Sequence, residues 1–348
     1  MTSSAIASSR PSTFAPATSG SLPAEQLVHI YDLMLRSRVL EERLITMYKQ
    51  GDGYFWIGGP GEEAFNVPLG LLVDKGAGVH HDFLHLHYRG TGTLLALGAD
   101  PVDSLRQMKN TATDPYSRGR NFAGHYSVRK WNVIPVTSPI EIQFSIAIGT
   151  ARAQRTGTGA QGITIVAGGD AGTAEGDFAT SLVWASRKGC ELPMLMIVTN
   201  NRYGISTPFA GQHGYEQIAE RAKAFGMPTA VIDGNDPEVS YAELKKAIDY
   251  VRTERKPYFL EAMVSRLRGH SSASGANLVK DEVDCLDQLE RKLEARDILT
   301  RAEMDRRREV YTRELGEAAA RVRTEPQPAP ESIWEHVFAD KDLVRGEV

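Results

Sequence analysis

Apolar residues recur along this chain in two rhythms. Near the start the period is helical: Leu27, Ile30, Tyr31, Met34 and Leu35, then Leu40, Leu44 and Met47, share one face of a segment from Pro23 to Gln50. Further on, short unbroken apolar runs predict buried strands at 163–167, 194–198, 229–232 and 258–264. Helical spacing returns between them, from about Ala174 to Lys188 and from Glu238 to Arg252, the second helix opened by Asp236 and Pro237. Another helix is expected behind Ser138 and Pro139, an N-cap residue and a good first helical residue, with Ile140, Phe144 and Ile148 as its apolar positions. Strands alternating with helices imply a parallel sheet covered on both faces, the α/β class. Residues 279–322 read as charged helix with Leu286, Leu289 and Leu293 on one face, followed by the Pro-rich PQPAPESIWEHVF. The organisation expected is a disordered tail over 1–22, an α/β domain over 23–278 and a helical extension over 279–348.

The polar residues at the strand ends carry the chemistry. The first central strand runs into Gly168, Gly169 and Asp170, and the next ends at Asn200 and Asn201. Asp170 offers a carboxylate oxygen and Asn201 an amide oxygen, the hard donors a cation such as Mg²⁺ takes when it shares ligands with a phosphate. Gly169, Ala171 and Gly172 are small enough for a pyrophosphate to approach the backbone, and the helix behind them would present free N–H groups and a positive dipole end. In an open parallel sheet the carboxyl ends of neighbouring strands are where ligands bind. A glycine-rich turn with a capping Asp and a turn-forming Asn pair would explain the residues one by one, but not their spacing across one crossover. A dinucleotide-binding module is the rival from another class; it would show GxGxxG with an acid about 20 residues on, and Asp170 sits inside the turn instead.

Four loops add candidates. Residues 51–61 are Gly-rich and hold Tyr54, Phe55 and Trp56, which suit the wall of an acyl pocket and a subunit contact equally. His80, His81, His85 and His87 precede Tyr88 and Arg89. Imidazoles bind zinc, but no cysteine is near, and His85 and His87 alternate with Leu84 and Leu86 as along a strand. Residues 109–127 form a polar loop holding His125, and 266–277 form another, RLRGHSSASGAN, holding Arg266 and His270.

Taken in order, GEEA, HYR, GRNFAGHY, TSPI, GGDAGTAEGDF, NNRYGIST, DGND and RLRGHS resemble the alpha subunit of the thiamine-diphosphate-dependent 2-oxoacid dehydrogenase decarboxylases. The match covers nearly everything after residue 23, and HY, SP and DGND lean toward the branched-chain 2-oxoacid type over the pyruvate or acetoin type. The resemblance implies a thiamine-diphosphate-binding fold, with Mg²⁺ held by Asp170, Asn201 and the carbonyl of Tyr203. It implies cofactor contacts from His87, Tyr88, Arg89, Ser138, Ile140, Gly169, Asp170, Ala171, Gly172, Asn201, Arg266 and His270. His270 and His125 would serve the acyl intermediate, as imidazoles titrating near neutrality. The implied reaction is oxidative decarboxylation of a 2-oxo acid, with acyl transfer to lipoyl groups of a dihydrolipoamide acyltransferase. The glutamate that activates the cofactor would come from a separate beta subunit in an alpha2–beta2 heterotetramer. Departures are visible. Ala171 replaces a glycine, the helix-to-strand spacer RKGCELP is about two residues longer, and Ser274 and Gly275 stand where the family has aspartates. Ile142 replaces the threonine before Gln143, which removes a ligand for the potassium some members hold. Ser271 occupies the position phosphorylated in mitochondrial relatives.

Composition narrows this little. The chain has 348 residues, 41% hydrophobic, with a formal net charge of −4, which gives no reason to expect nucleic acid. No apolar run approaches the roughly 20 residues of a membrane span. Cys190 and Cys285 are too far apart to suggest a disulfide framework, so a reducing compartment fits. The first 22 residues hold one Arg and no acid but lack an Arg-rich amphipathic pattern. They read as a tail; the family then implies the bacterial cytoplasm, or the mitochondrial matrix if the segment is a transit peptide.

Overall fold

The computed structural model describes residues 21–335 and 337, so the expected tail, apart from Ser21 and Leu22, lies outside the described residues. The elements in chain order are α1 Ala24–Lys49, α2 Glu63–Leu72, β1 Phe83–His85, α3 Thr91–Ala96, α4 Pro101–Lys109, α5 Ile142–Thr156, β2 Thr164–Gly169, α6 Gly176–Ala185 and β3 Met194–Asn200. They continue with a two-residue hairpin (β4 Tyr203–Gly204, β5 Thr207–Pro208), α7 Ala219–Lys223, β6 Thr229–Asp233, α8 Pro237–Glu254, β7 Tyr258–Met263, α9 Cys285–Ala295 and α10 Arg301–Val322. Five strands form one sheet in the order β1-β2-β3-β7-β6, every pairing parallel.

Strand alternation divides the core. Ile165, Ala167, Leu195, Ile197, Leu260 and Ala262 face one side, where α2, α3 and α8 cover them. Val166, Met194, Met196, Val198 and Phe259 face the other, covered by α5, α6 and α7. A third cluster lies outside this sandwich: the apolar stripe of α1 packs with Leu286, Leu289 and Leu293 of α9 and with Leu315, Ala318 and Val322 of α10. Asp236 caps α8 by accepting from the amides of Glu238 and Val239, and Pro237 fills its first turn.

Three expectations need correction. The helix behind Ser138 begins only at Ile142, because Glu141 takes a left-handed conformation, φ 63°, that breaks the turn. Ser138 is therefore not its cap, and Ile140 stands exposed instead of packing on a helix face. The helix expected from Ala174 to Lys188 is shorter, and a 3-10 turn, Ala171–Ala174, comes between β2 and α6. The charged segment 279–322 is two helices, separated where Thr300 builds a capping box with Glu303 for α10.

Candidate active site

Four adjacent strands deliver the candidate residues to one end of the sheet. Gly169 and Thr199 are register partners on β2 and β3, so Asp170 and Asn201 leave neighbouring carboxyl ends. Asn200 pairs with Met263 at the end of β7, and Arg266 follows three residues later. β1 pairs with β2 on its other side and runs on into His87, Tyr88 and Arg89. These ends open into a cavity of about 430 Å³, lined by every residue the resemblance assigned to cofactor, cation or acyl group except Arg266. Arg266 lies beside it, its guanidinium carbon 5.2 Å from the centre of the Tyr203 ring.

The Asn-Asn turn is held from below. Asn200 accepts from the amide of Arg202 at 2.9 Å and donates to Glu261 Oε1 at 2.7 Å, and Asn201 accepts from the amide of Tyr203 at 3.2 Å. Glu261 sits mid-strand in β7, fully buried, and also accepts from the amide of Ala219. The tight turn forces Arg202 to φ 66°, a conformation that costs a non-glycine residue on the order of 1 kcal/mol.

The charged groups here are buried with open valences. Among the described residues, Asp170 Oδ2, Arg266 Nε and Nη1, Glu141 Oε2 and His87 Nδ1 have no hydrogen-bond partner. A buried polar atom left unpaired costs about 1–3 kcal/mol, so a folded protein seldom keeps several together without a use for them. Burial lifts the Asp170 carboxyl to about 6, against the opposing pull of nearby backbone amides, Arg89 and Arg266. Glu141 goes to about 8, chiefly through burial. Its carboxylate lies in a slot that exists because 168 and 172 are glycines; a Cβ on either would collide with it. At Gly169, by contrast, a Cβ would find nothing nearer than His87 at 3.6 Å.

The four histidines before Tyr88 separate. His80 faces the Gly159 carbonyl, His81 the Asp74 carboxylate and His85 the Thr150 hydroxyl, while His87 enters the cavity against Tyr88, ring centres 3.9 Å apart. The aromatic run 54–56 separates too: Tyr54 is exposed, Phe55 lines the cavity 5.2 Å from Phe122, and Trp56 is core, its indole donating to Glu41 at 2.7 Å.

His125 and His270 face the cavity from two loops. His125 Nε2 lies 3.0 Å from Ser138 Oγ, which is where that hydroxyl goes instead of capping a helix. His270 Nδ1 lies 3.2 Å from Arg89 Nη2. Burial lowers the basicity of both, and for His270 the nearby Arg89 and Arg266 charges add to it, bringing it to about 4. Against the expectation of imidazoles titrating near neutrality, His270 falls well below that range and His125 is shifted in the same direction. The 266–277 loop is a built turn. Ser271 and Ser274 form a capping box, and Trp56 and Ser272 exchange two hydrogen bonds of 3.1 and 2.8 Å. Ser271 is buried, with its hydroxyl accepting from the amide of Ala273.

Sequence reasoning missed Glu141, Glu62 and Glu261. Glu141 reads as an ordinary acid in a helix's first turn, and Glu62 as the start of α2. Glu62 is in fact buried 3.8 Å from Arg89 Nε, its carboxyl raised to about 7 by burial against the opposing Arg89 charge. Glu261 carried a legible signal, an acid inside a run of six buried-strand residues.

Residues 31–331 match the family model of the dehydrogenase E1 component. The chain belongs to that family. It is 31% identical over 251 residues to the 2-oxoisovalerate dehydrogenase subunit alpha of Bacillus subtilis, covering 72% of this chain and 74% of that one. To the mitochondrial 2-oxoisovalerate dehydrogenase subunit alpha of Homo sapiens it is 25% identical over 334 residues, 93% of this chain and 73% of the relative. The Caenorhabditis elegans mitochondrial counterpart is 29% identical over 256 residues, and there the match spans 57% of the relative's length. The protein is an oxidoreductase of the 2-oxoacid dehydrogenase type, in a family that depends on thiamine diphosphate. Its α/β sheet is the fold expected from sequence. No helix among the described residues is long and apolar enough to cross a membrane.

Proposed function

We propose that the chain is the alpha component of a branched-chain 2-oxo acid decarboxylase, holding Mg²⁺ and thiamine diphosphate in the cavity and working with a separate beta subunit. The observation that carries this is the pairing of open valences at one sheet end. Asp170 Oδ2 is a buried acceptor without a donor, and Arg266 Nε and Nη1 are buried donors without an acceptor. A cation bridged to a diphosphate satisfies both kinds at once. Asp170, Asn201 and the Tyr203 carbonyl would hold the cation. Arg266, Arg89, His87, Tyr88, His270 and the amides around Gly169, Ala171 and Gly172 would hold the phosphates. The names of the relatives support the branched-chain substrate.

When bound, the cofactor supplies a nucleophilic carbon and an electron sink for decarboxylation. This chain's residues orient and shield. Ser138 and Ile140 would offer backbone contacts to the cofactor's ring, and the exposed Ile140 side chain would give it an apolar support. His270 and His125 would offer hydrogen bonds to the substrate-derived oxygen. Phe55, Phe122 and Val136 would help keep water from the reacting carbon. Two features support a partner. Among the described residues, Glu141 is the one carboxylate besides Asp170 in the lining, and it turns to Gly168 and Gly172, which argues against it as the activating glutamate. Ile140, Phe122 and Ile205 also leave apolar surface exposed at the mouth. We propose that a beta subunit covers this surface in an alpha2–beta2 assembly, and that a lipoyl-bearing acyltransferase receives the product. Calorimetry with thiamine diphosphate plus Mg²⁺, against NAD as control, tests the site. A panel of branched-chain 2-oxo acids, pyruvate and acetoin, given to the co-expressed alpha–beta complex, tests the substrate. Binding of NAD without thiamine diphosphate would reject the reading.

A further inference from the structure

Arg89 has more to do than meet a phosphate. Its guanidinium is buried, and several of its donors are already used within the chain. Nη1 donates to the carbonyl of Gly58, Nη2 to the carbonyl of His270 at 3.3 Å, and Nη2 also lies 3.2 Å from His270 Nδ1. Nε faces the Glu62 carboxylate at 3.8 Å. The backbone around it is fixed as well: Asn66 donates to the Arg89 carbonyl at 3.1 Å.

An arginine side chain carries donors only and stays protonated at every working pH. A ring nitrogen in hydrogen-bond contact with it can therefore only accept. If Nδ1 accepts, the single proton of the neutral ring sits on Nε2. We propose that Arg89, anchored by Glu62 and Gly58, is a positioning residue that fixes His270 as the Nε2–H tautomer, so that His270 meets its ligand as a hydrogen-bond donor and not as a general base. The groups that face the ring agree. Arg89 and Arg266 are the charges acting on it, both positive, and Tyr88 meets it edge-on with ring centres 6.2 Å apart. With no carboxylate beside it, a second proton is disfavoured, in line with the fall of its pKa to about 4. The oxygen that receives this N–H belongs to the anionic or carbonyl end of whatever fills the cavity. Only that last step rests on the functional reading above; the tautomer does not.

The direct test is long-range proton–nitrogen correlation NMR on the full chain, labelled with ¹⁵N-histidine, at pH 7 without ligand, with the His270 signals assigned by their loss in His270→Gln. The expected spectrum has a pyrrole-type Nε2 and a pyridine-type Nδ1. A protonated Nδ1, or a doubly protonated ring, would overturn the proposal on the unmodified protein. In Arg89→Met the preference should vanish, giving mixed tautomers or a ring that gains a proton at pH 7; an unchanged spectrum would remove Arg89 as the cause. A second arm reads function in the alpha–beta complex. Glutamine can place an N–H near the Nε2 position and asparagine near Nδ1, so His270→Gln should keep a kcat about tenfold or more above that of His270→Asn, within the usual range for a positioned proton donor. Equal losses would overturn the donor role. An unmodified complex inactive on every 2-oxo acid would overturn the functional reading, while the spectrum would still decide the tautomer.

Discussion

Two regions of this molecule bury charge, and they treat it in opposite ways. Behind α1 lies a cluster in which each group has an answer. Arg38 forks onto Glu63 at 2.6 and 3.0 Å and onto Asp284 at 2.7 and 3.0 Å. Glu63 also takes the amide of Gly61 and the thiol of Cys285. Glu41 takes the Trp56 indole and the Thr91 hydroxyl. At the sheet's carboxyl end, Asp170 and Glu141 are buried and Arg266 and His87 half-buried, yet each keeps a buried atom without a partner among the described residues. Burial therefore does not separate scaffold from site in this protein. Completeness of pairing does: a closed network fixes a structure, and an open one is waiting for something from outside.

The contrast can be broken from either side. The largest effect expected is at Arg38. Replacing it with Met strands Glu63 and Asp284 and should lower unfolding stability by about 3–5 kcal/mol, as for other buried pairs broken at one partner. Chemical denaturation measures it, and a loss below about 1 kcal/mol would mean the network is decorative. Asp170→Ala makes the reverse expectation. It removes a carboxylate with an unpaired oxygen, so stability should hold or rise, while Mg²⁺-dependent binding of thiamine diphosphate should weaken by roughly a hundredfold or more, about 2.7 kcal/mol. Calorimetry on the same preparations reads both quantities, and unchanged affinity would remove Asp170 from the cation site.

Glu141 sharpens the contrast through pH. Its folded pKa, about 8, lies above the ordinary 4.5. Between those values the native state holds a proton that the unfolded chain releases, so this group's contribution makes stability fall as pH rises through that window, and level off above it. Glu141→Gln, uncharged throughout, should be closest to the parent at or below pH 4.5 and gain on it as pH rises to 8.5, by up to several kcal/mol at about 1.4 for each pKa unit. Melting curves across that range check it; a constant difference would mean the carboxyl is not the titrating group. The smallest effect is expected at Glu238, which belongs to the closed kind. It is paired with Lys292 and Arg296 and its pKa is lowered to about 2, the attraction of those partners overcoming the cost of burial. Its stabilisation is present above pH 4.5 and lost as pH falls toward 2. Glu238→Gln should cost roughly 1 kcal/mol at pH 7, since solvent screens part of the interaction, and nothing near pH 2.

Much of the fold was legible because apolar runs and stripes report burial directly. The four expected strands, β2, β3, β6 and β7, fall within about two residues of their expected ends, and α1 and α8 likewise. The errors came where a side chain's partner lies far away in sequence. Ser138 has the chemistry of a cap, and only folding brings His125 to its hydroxyl. Glu141 has the composition of a helical first turn, and only the glycines at 168 and 172 give its carboxylate a place to go. The same limit applied to the histidines: their number was visible, while the separation of His87 from His80, His81 and His85 depends on where β1 ends. The placement of Asp170 and Asn201 at neighbouring strand ends follows from residue type and local spacing, and was readable. Glu62, buried only by folding, was not, and Glu261 was visible inside its strand but went unused.

The exchange of hydrogen bonds between Trp56 and Ser272 ties two loops 216 residues apart in sequence. Closing so long a chain segment yields nothing until both loops have arrived, which favours the sheet beneath forming before the lip. Its amides should exchange with solvent through small openings that leave β2 and β3 protected. A ligand would then be released and recaptured between global unfolding events, and exchange of the Ser272 amide proton would time that opening.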